Sequence, residues 1–283
     1  MLNSDRRQLL KGSLALLSAA AAGSGPSRAK DGSGLAWLTD PINVYAVFRR
    51  MRFAEHEQVF FWWLRGTRSG LIDNQLTNFF RMEVGSLHRC RELGDGRYSV
   101  TSLGIIYYSD LKSGELLEKW HNPVTDATVP FQYAAPKPTT VIYNRAGIES
   151  EPAFPAAGAT RSHELGPVDM VGNDLWLNDS SHLNAPPQNG AATPLHVNDL
   201  YTLRSPLREL LNPNQRFVPC DAVFNDFNTW SARLQMGARA GTSLSRCYGR
   251  KEAKLESLPA SYLAFGRRVH PTIFADPATA LAP

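Results

Sequence analysis

The chain carries 283 residues, 43% hydrophobic and 10% aromatic, enough to bury a large core and to exclude disorder as its resting state. Its net charge of +4 comes largely from the first 30 positions, where Arg6, Arg7, Lys11, Arg28 and Lys30 stand against Asp5 alone. The remainder is balanced, which argues against nucleic acid or an acidic membrane surface as a partner.

The N-terminus reads as an export leader. Arg6-Arg7 is followed by Lys11 and by an uncharged apolar run from Gly12 to Ala22 that ends in small residues. That order is the pattern of a twin-arginine signal. It predicts a periplasmic or secreted protein that meets the twin-arginine translocon during export and has no stable membrane insertion after cleavage. Cleavage is expected after Ala22, with Ala20 and Ala29 as rivals. Residues 1–30 are therefore leader and tether, and 31–283 are expected to form a single β-rich domain.

A short helix should start at Asp40, a good N-cap followed by Pro41, with Ile42, Tyr45, Phe48 and Met51 on one stripe. Its Arg49, Arg50 and Arg52 are expected on a solvated face. From residue 57 the pattern turns to β. Val59 to Leu64 is apolar on both faces, as in a strand covered on both sides. Asn78 to Val84, Ser86 to Glu92 and Tyr98 to Ser109 follow, with a hairpin signal at Leu93-Gly94-Asp95-Gly96-Arg97. Turns at 110–115 and 122–126 would bring Leu116–Trp120 and Thr128–Ala134 back, completing a four-stranded meander. Gly66 to Gly70 reads as a loop, and 144–160 and 184–194 as longer ones. Strands resume at Arg161–Met170, Asp174–His182, Leu195–Leu203, Phe217–Met236 and Thr242–Leu255, and a helix near Ser257 closes the chain. The expected fold is mainly β, an antiparallel meander closing into a lipocalin-like barrel with short helices at both ends.

Three cysteines in an oxidising compartment allow one disulfide, Cys220–Cys247 first, or three buried thiols. No nucleophile elbow, phosphate loop, Cys-x-x-Cys or His-Glu-x-x-His occurs. The seven histidines are scattered, so no metal site is expected, and no cofactor can be read. His88, beside Arg89 and Arg91, is expected to be exposed. His121 reads as a turn-flanking residue and His270 as a terminal hydrogen-bonding one.

Aromatic residues with interleaved charges are the strongest functional hint. Trp63, Arg65, Trp120 and Trp230 are the candidate ligand-binding residues, with Tyr107 expected in the same pocket. An enzyme on this scaffold would draw its acid–base groups from Tyr107, Tyr108, Glu118 and Asp226, with Arg65 stabilising charge. The first reading is a protein that binds a small apolar or aromatic molecule inside the barrel. The second is an isomerase, lyase or hydrolase in the same cavity, and the third an envelope interaction protein with no pocket.

Several motifs together resemble the domain-of-unknown-function family 1838 of bacteria and fungi, over residues 39–277. They are Thr39-Asp40-Pro41, Phe61-Trp62-Trp63-Leu64-Arg65-Gly66, Tyr107-Tyr108-Ser109-Asp110, Ser113-Gly114-Glu115, Leu117 to Pro123, Gly249-Arg250-Lys251 and His270-Pro271. The resemblance implies a shared fold and brings no reaction or catalytic residue. Thr125-Asp126-Ala127 stands where such turns more often carry Thr-Gly-Glu, a change confined to the hairpin tip.

Overall fold

The computed structural model describes residues 36–134, 137–151, 158–187 and 193–282. The expected leader, its cleavage sites and the tether lie outside them. Helix α1 runs Pro41–Arg52, capped by Asp40, whose carboxylate accepts from the Ile42 N–H at 2.9 Å. The strands are β1 Phe60–Ile72, β2 Gln75–Gly94, β3 Arg97–Ser109, β4 Lys119–His121, β5 Thr128–Pro130, β6 Thr139–Tyr143, β7 Ile148–Ser150, β8 Thr160–Val171, β9 Asp174–Ala185, β10 Leu195–Pro206, β11 Asp221–Asn228 and β12 Thr242–Glu252. Helix α2 (Leu207–Leu211) follows β10, and α3 (Ala260–Val269), α4 (Pro271–Ala275) and α5 (Pro277–Ala280) end the chain. Helices are thus short and gathered mostly at the C-terminal end.

Ten strands form one antiparallel sheet in the order β7-β6-β3-β2-β1-β12-β11-β10-β9-β8. Its ends, β7 and β8, do not pair, so the expected closed barrel is corrected to an open sheet. The long hairpin β1–β2 turns on Asp73 and Asn74, both in the left-handed region that a two-residue hairpin needs. Gly66 to Gly70 lies within β1 and is no loop, because both neighbouring strands pair along it. The meander also ends earlier than expected. After Ser109 only one bridge, to Leu116, continues the ladder, and β4 and β5 pair with each other as a separate ribbon.

Alternation along the strands separates two cores. On the inner face Phe60, Trp62, Leu64, Phe80, Met82, Tyr98, Leu177, Leu203 and Phe224 pack together with Tyr45, Phe48, Met51 and Phe53 of and after α1. On the outer face Phe61, Leu87, Leu103, Ile105 and Tyr107 are covered by Leu258, Tyr262, Leu263, Ile273 and Phe274. Gly85 permits this docking, since a Cβ there would lie 2.0 Å from the Tyr262 hydroxyl.

Helix α1 is a plug and not a surface helix, which corrects the reading of its arginines. Arg49 pairs with Glu92 and lies over the Tyr98 ring. Arg50 donates to the carbonyls of Leu210, Asn212 and Gln215. Arg52 turns inward, its guanidinium 4.3 Å from the Tyr201 ring centre and 5.1 Å from that of Trp62. The other end is filled by the β4–β5 ribbon, where buried Asn122 donates to the Leu234 carbonyl at 2.7 Å. All three cysteines are buried free thiols, so the Cys220–Cys247 disulfide does not form.

Candidate functional site

The inner face lines a half-open cavity of about 1000 Å³, the size of a small-molecule site. Its wall draws on β2, β3, β6 and β7 from one flank of the sheet and β8, β9 and β10 from the other, so the sheet curls around it. Buried Tyr45 of α1 stands between the two flanks, its ring 6.5 Å from Tyr143 on β6 and 6.3 Å from His163 on β8.

Polar groups line both flanks, and those on the β8–β11 side form an ordered row. His163 lies opposite Ser181, Ser181 opposite Asp199, and Asp199 opposite Asp226, one cross-strand row on a single face. One step along, buried Asp179 faces Tyr201 and accepts a hydrogen bond from His163 Nε2 at 2.8 Å. This fixes the imidazole tautomer with Nδ1 as the basic nitrogen. Tyr45 and Phe48 pack against the ring edge-on and tilted, holding its plane.

The two aspartates of the row differ in partners. Asp226 pairs with Arg68 at 3.0 Å and accepts from the Ser245 N–H. Burial still pushes its carboxyl up against those two. Asp199 lacks such an ion pair, and burial, with Asp226 beside it, raises it to about 6. Burial likewise lifts the Tyr201 phenol to about 12. Arg52, stacked on that phenol, carries its positive charge to the same wall.

His88 lines the cavity too, contrary to the expectation of exposure. Arg89 and Arg91 flank it in sequence, but alternation sends them to the other face. The imidazole is buried, stacked on Phe60 at 5.2 Å, and shared between the hydroxyls of Ser86 (2.7 Å) and Ser102 (2.6 Å). Burial, reinforced by Arg52 and Lys251, lowers it to about 3, so it stays neutral. Lys251 is equally buried, and desolvation lowers its amine to about 7. Its ammonium donates to the Arg50 and Phe53 carbonyls at 2.9 and 2.7 Å and so caps the end of α1.

The residues singled out from sequence fall into three places. Trp63, Arg65 and Tyr107 share the outer face, beneath α3. There Glu83 accepts from Trp63 Nε1 at 3.2 Å and from Arg65 at 2.9 Å, and Arg65 also donates to the Ser261 hydroxyl at 2.6 Å. Tyr107 is buried with its hydroxyl 2.8 Å from His270 Nδ1. Trp120 and Trp230 lie on the inner side, both against Phe79, and Tyr108 joins that cluster through Phe80 and Phe131. The single pocket expected from Trp63, Arg65, Tyr107, Trp120 and Trp230 is therefore corrected, because the sheet itself stands between its members. Glu118 is exposed and pairs with Arg268, outside the cavity. Asp226 alone among the candidates joins the row beside the cavity. His121, exposed and near Asp126, flanks its turn as expected.

Among the described residues no group of three or more His, Cys, Asp or Glu could hold a metal ion, and no helix is long and apolar enough to cross a membrane.

The family model described as Protein of unknown function (DUF1838) matches residues 56–280, and the chain belongs to that family. The match begins after α1, so Tyr45, Phe48 and Arg52 reach the cavity from outside the matched region. No curated protein and no solved structure matches the chain.

Proposed function

We propose that this member of the DUF1838 family takes up a small, largely apolar or aromatic molecule in the cavity of its curled sheet, working in the periplasm or outside the cell. The carrying observation is the cavity itself, about 1000 Å³, in which aromatic and aliphatic side chains such as Tyr45, Phe48, Val84, Val141 and Tyr143 alternate with polar and charged ones from both flanks. A filled interior would have favoured an interaction protein instead. The extracytoplasmic setting is supported by the paired arginines and apolar run of residues 4–22.

Gly104 gives a direct test. It lines the cavity, and a Cβ there would meet no atom within 4 Å, so a large side chain can grow inward without displacing the sheet. N-phenyl-naphthylamine, a neutral apolar fluorophore, should bind the mature protein at one site per chain. Gly104→Trp should abolish that binding, whereas Phe227→Ser, on the exposed outer face, should leave it intact. Equal binding by all three proteins would refute the cavity as the site.

A second reading, an enzyme of proton transfer in the same cavity, is favoured by one observation, the pairing of His163 with Asp179 within it.

A further inference from the structure

We propose that His163 is a general base facing the cavity, that Asp179 positions it, and that Asp199, two strands away, is the complementary acid. The substrate class that fits is a small, mostly apolar molecule carrying a C–H bond acidified by a neighbouring carbonyl or similar oxygen-terminated group. This rests on the cavity being a ligand site, and it assigns the chemistry done there.

The geometry is that of a base with a backing carboxylate. Asp179 accepts a hydrogen bond from Nε2–H, leaving the Nδ1 lone pair for substrate. Among the described residues Nδ1 has no hydrogen-bond partner. His163 and Asp199 are separated by one strand, through Ser181, which sets their backbones roughly 10 Å apart at normal strand spacing. Their side chains project from the concave face toward the same space, a gap that holds one small molecule. The charged and titratable groups that share the cavity with His163 include Tyr45 and Arg52 of α1, Arg161 on β8, Asp179 and His182 on β9, Asp199 on β10 and Glu151 after β7. Asp226, already held by Arg68, stands next to Asp199 and favours its acid form by like-charge repulsion.

The step balances without any co-reactant. His163 Nδ1 removes the proton, the C–H electron pair forms a C=C bond, and the carbonyl π pair moves onto oxygen. The resulting enolate oxygen is stabilised by the Arg52 guanidinium. Asp199 then delivers a proton to the opposite face of the same carbon, the electrons return from oxygen, and the product is the epimer. The imidazolium gives its proton back to the Asp199 carboxylate through solvent.

A nitrobenzisoxazole is a suitable probe, being small, aromatic and sensitive to a positioned base. Loss of its ring C–H proton to His163 converts that electron pair into a nitrile π bond and breaks the N–O bond, releasing a coloured cyano-nitrophenolate. The mature protein should open this ring, and His163→Gln should lower kcat/KM on the order of a hundredfold. His121→Gln, at an exposed histidine outside the cavity, should change nothing. Asp179→Asn should lower the rate and displace its pH profile, which a merely structural role would not do, and it supplies a second variant should His163→Gln fail to fold. A probe that displaces N-phenyl-naphthylamine yet reacts no faster than with His163→Gln and Asp179→Asn overturns the proton-transfer centre while leaving the cavity a binding site. A probe that neither displaces the fluorophore nor reacts, in a protein that also fails to bind the fluorophore, overturns both.

Discussion

Asp199 and Asp226 stand directly opposite one another on β10 and β11, two carboxylates in one cross-strand pair beside the cavity. Like charges in such a pair repel, and the surroundings resolve the conflict by giving Arg68 and the Ser245 N–H to Asp226 alone. Asp199 is left to hold its proton up to about pH 6.

The two positions should therefore respond differently to neutralisation. A carboxyl raised in the folded state binds its proton more tightly there than in the unfolded chain. Its contribution to stability falls as pH rises from about 4 toward 6 and stays lost above that. Asp199→Asn should thus stabilise the protein at pH 8 by about 1–3 kcal/mol and give no gain near pH 3.5. Asp226→Asn should fall short of that gain by about 3 kcal/mol at pH 8, because it takes the carboxylate partner from a largely buried Arg68. Urea unfolding of both variants at the two pH values measures this, and equal shifts of the same sign would contradict it.

His88 carries a pH signature of the opposite sense. Its folded form remains neutral down to about 3, whereas in the unfolded chain it takes a proton near its ordinary value. Stability should fall as pH drops from about 6.5 toward 3. His88→Gln should flatten that limb while keeping partners for Ser86 and Ser102. Thermal midpoints taken every half pH unit would show it, and an unchanged slope in the variant would assign acid sensitivity elsewhere.

Much of this was legible from sequence, and the misses have physical reasons. Strand alternation and hairpin turns predict a mainly antiparallel sheet, because each depends on neighbours a few residues apart. Whether the ends of that sheet meet depends on accumulated curvature, which no local pattern encodes, so β7 and β8 remaining apart could not be read. Two site residues were readable by period alone. His88 shares parity with Ser86 and Cys90 and not with its arginine neighbours. Arg52 falls on the helical stripe of Tyr45 and Phe48, one turn past Phe48. His163 and Asp179 had no such signal, since their meeting depends on the register between β8 and β9. Trp63, Arg65 and Tyr107 do share one face, but aromatic content does not say which face holds the cavity.

Gly85 should be among the least tolerant positions on the outer face. Gly85→Ala drives a methyl into the Tyr262 ring, an overpacking that typically costs about 1–3 kcal/mol. Combining it with Tyr262→Leu should recover part of that loss relative to the sum of the two single variants. Strict additivity in denaturant unfolding would mean that α3 does not bear on Gly85.

Export can be checked independently of the fold. Changing both Arg6 and Arg7 to lysine should hold the protein in the cytoplasm with its leader attached, read by fractionation and the mass of the intact chain. Unchanged recovery outside the cytoplasm would exclude the twin-arginine route.

Cys90, Cys220 and Cys247 are each enclosed by the packed interior as thiols, and burial raises the affinity of each for its proton. No stage in reaching this structure waits for an oxidant. The chain can finish folding in a reducing compartment and then travel as a completed object, the order of events that a paired-arginine leader presupposes. With three free thiols, it has no disulfide for a change of redox environment to break.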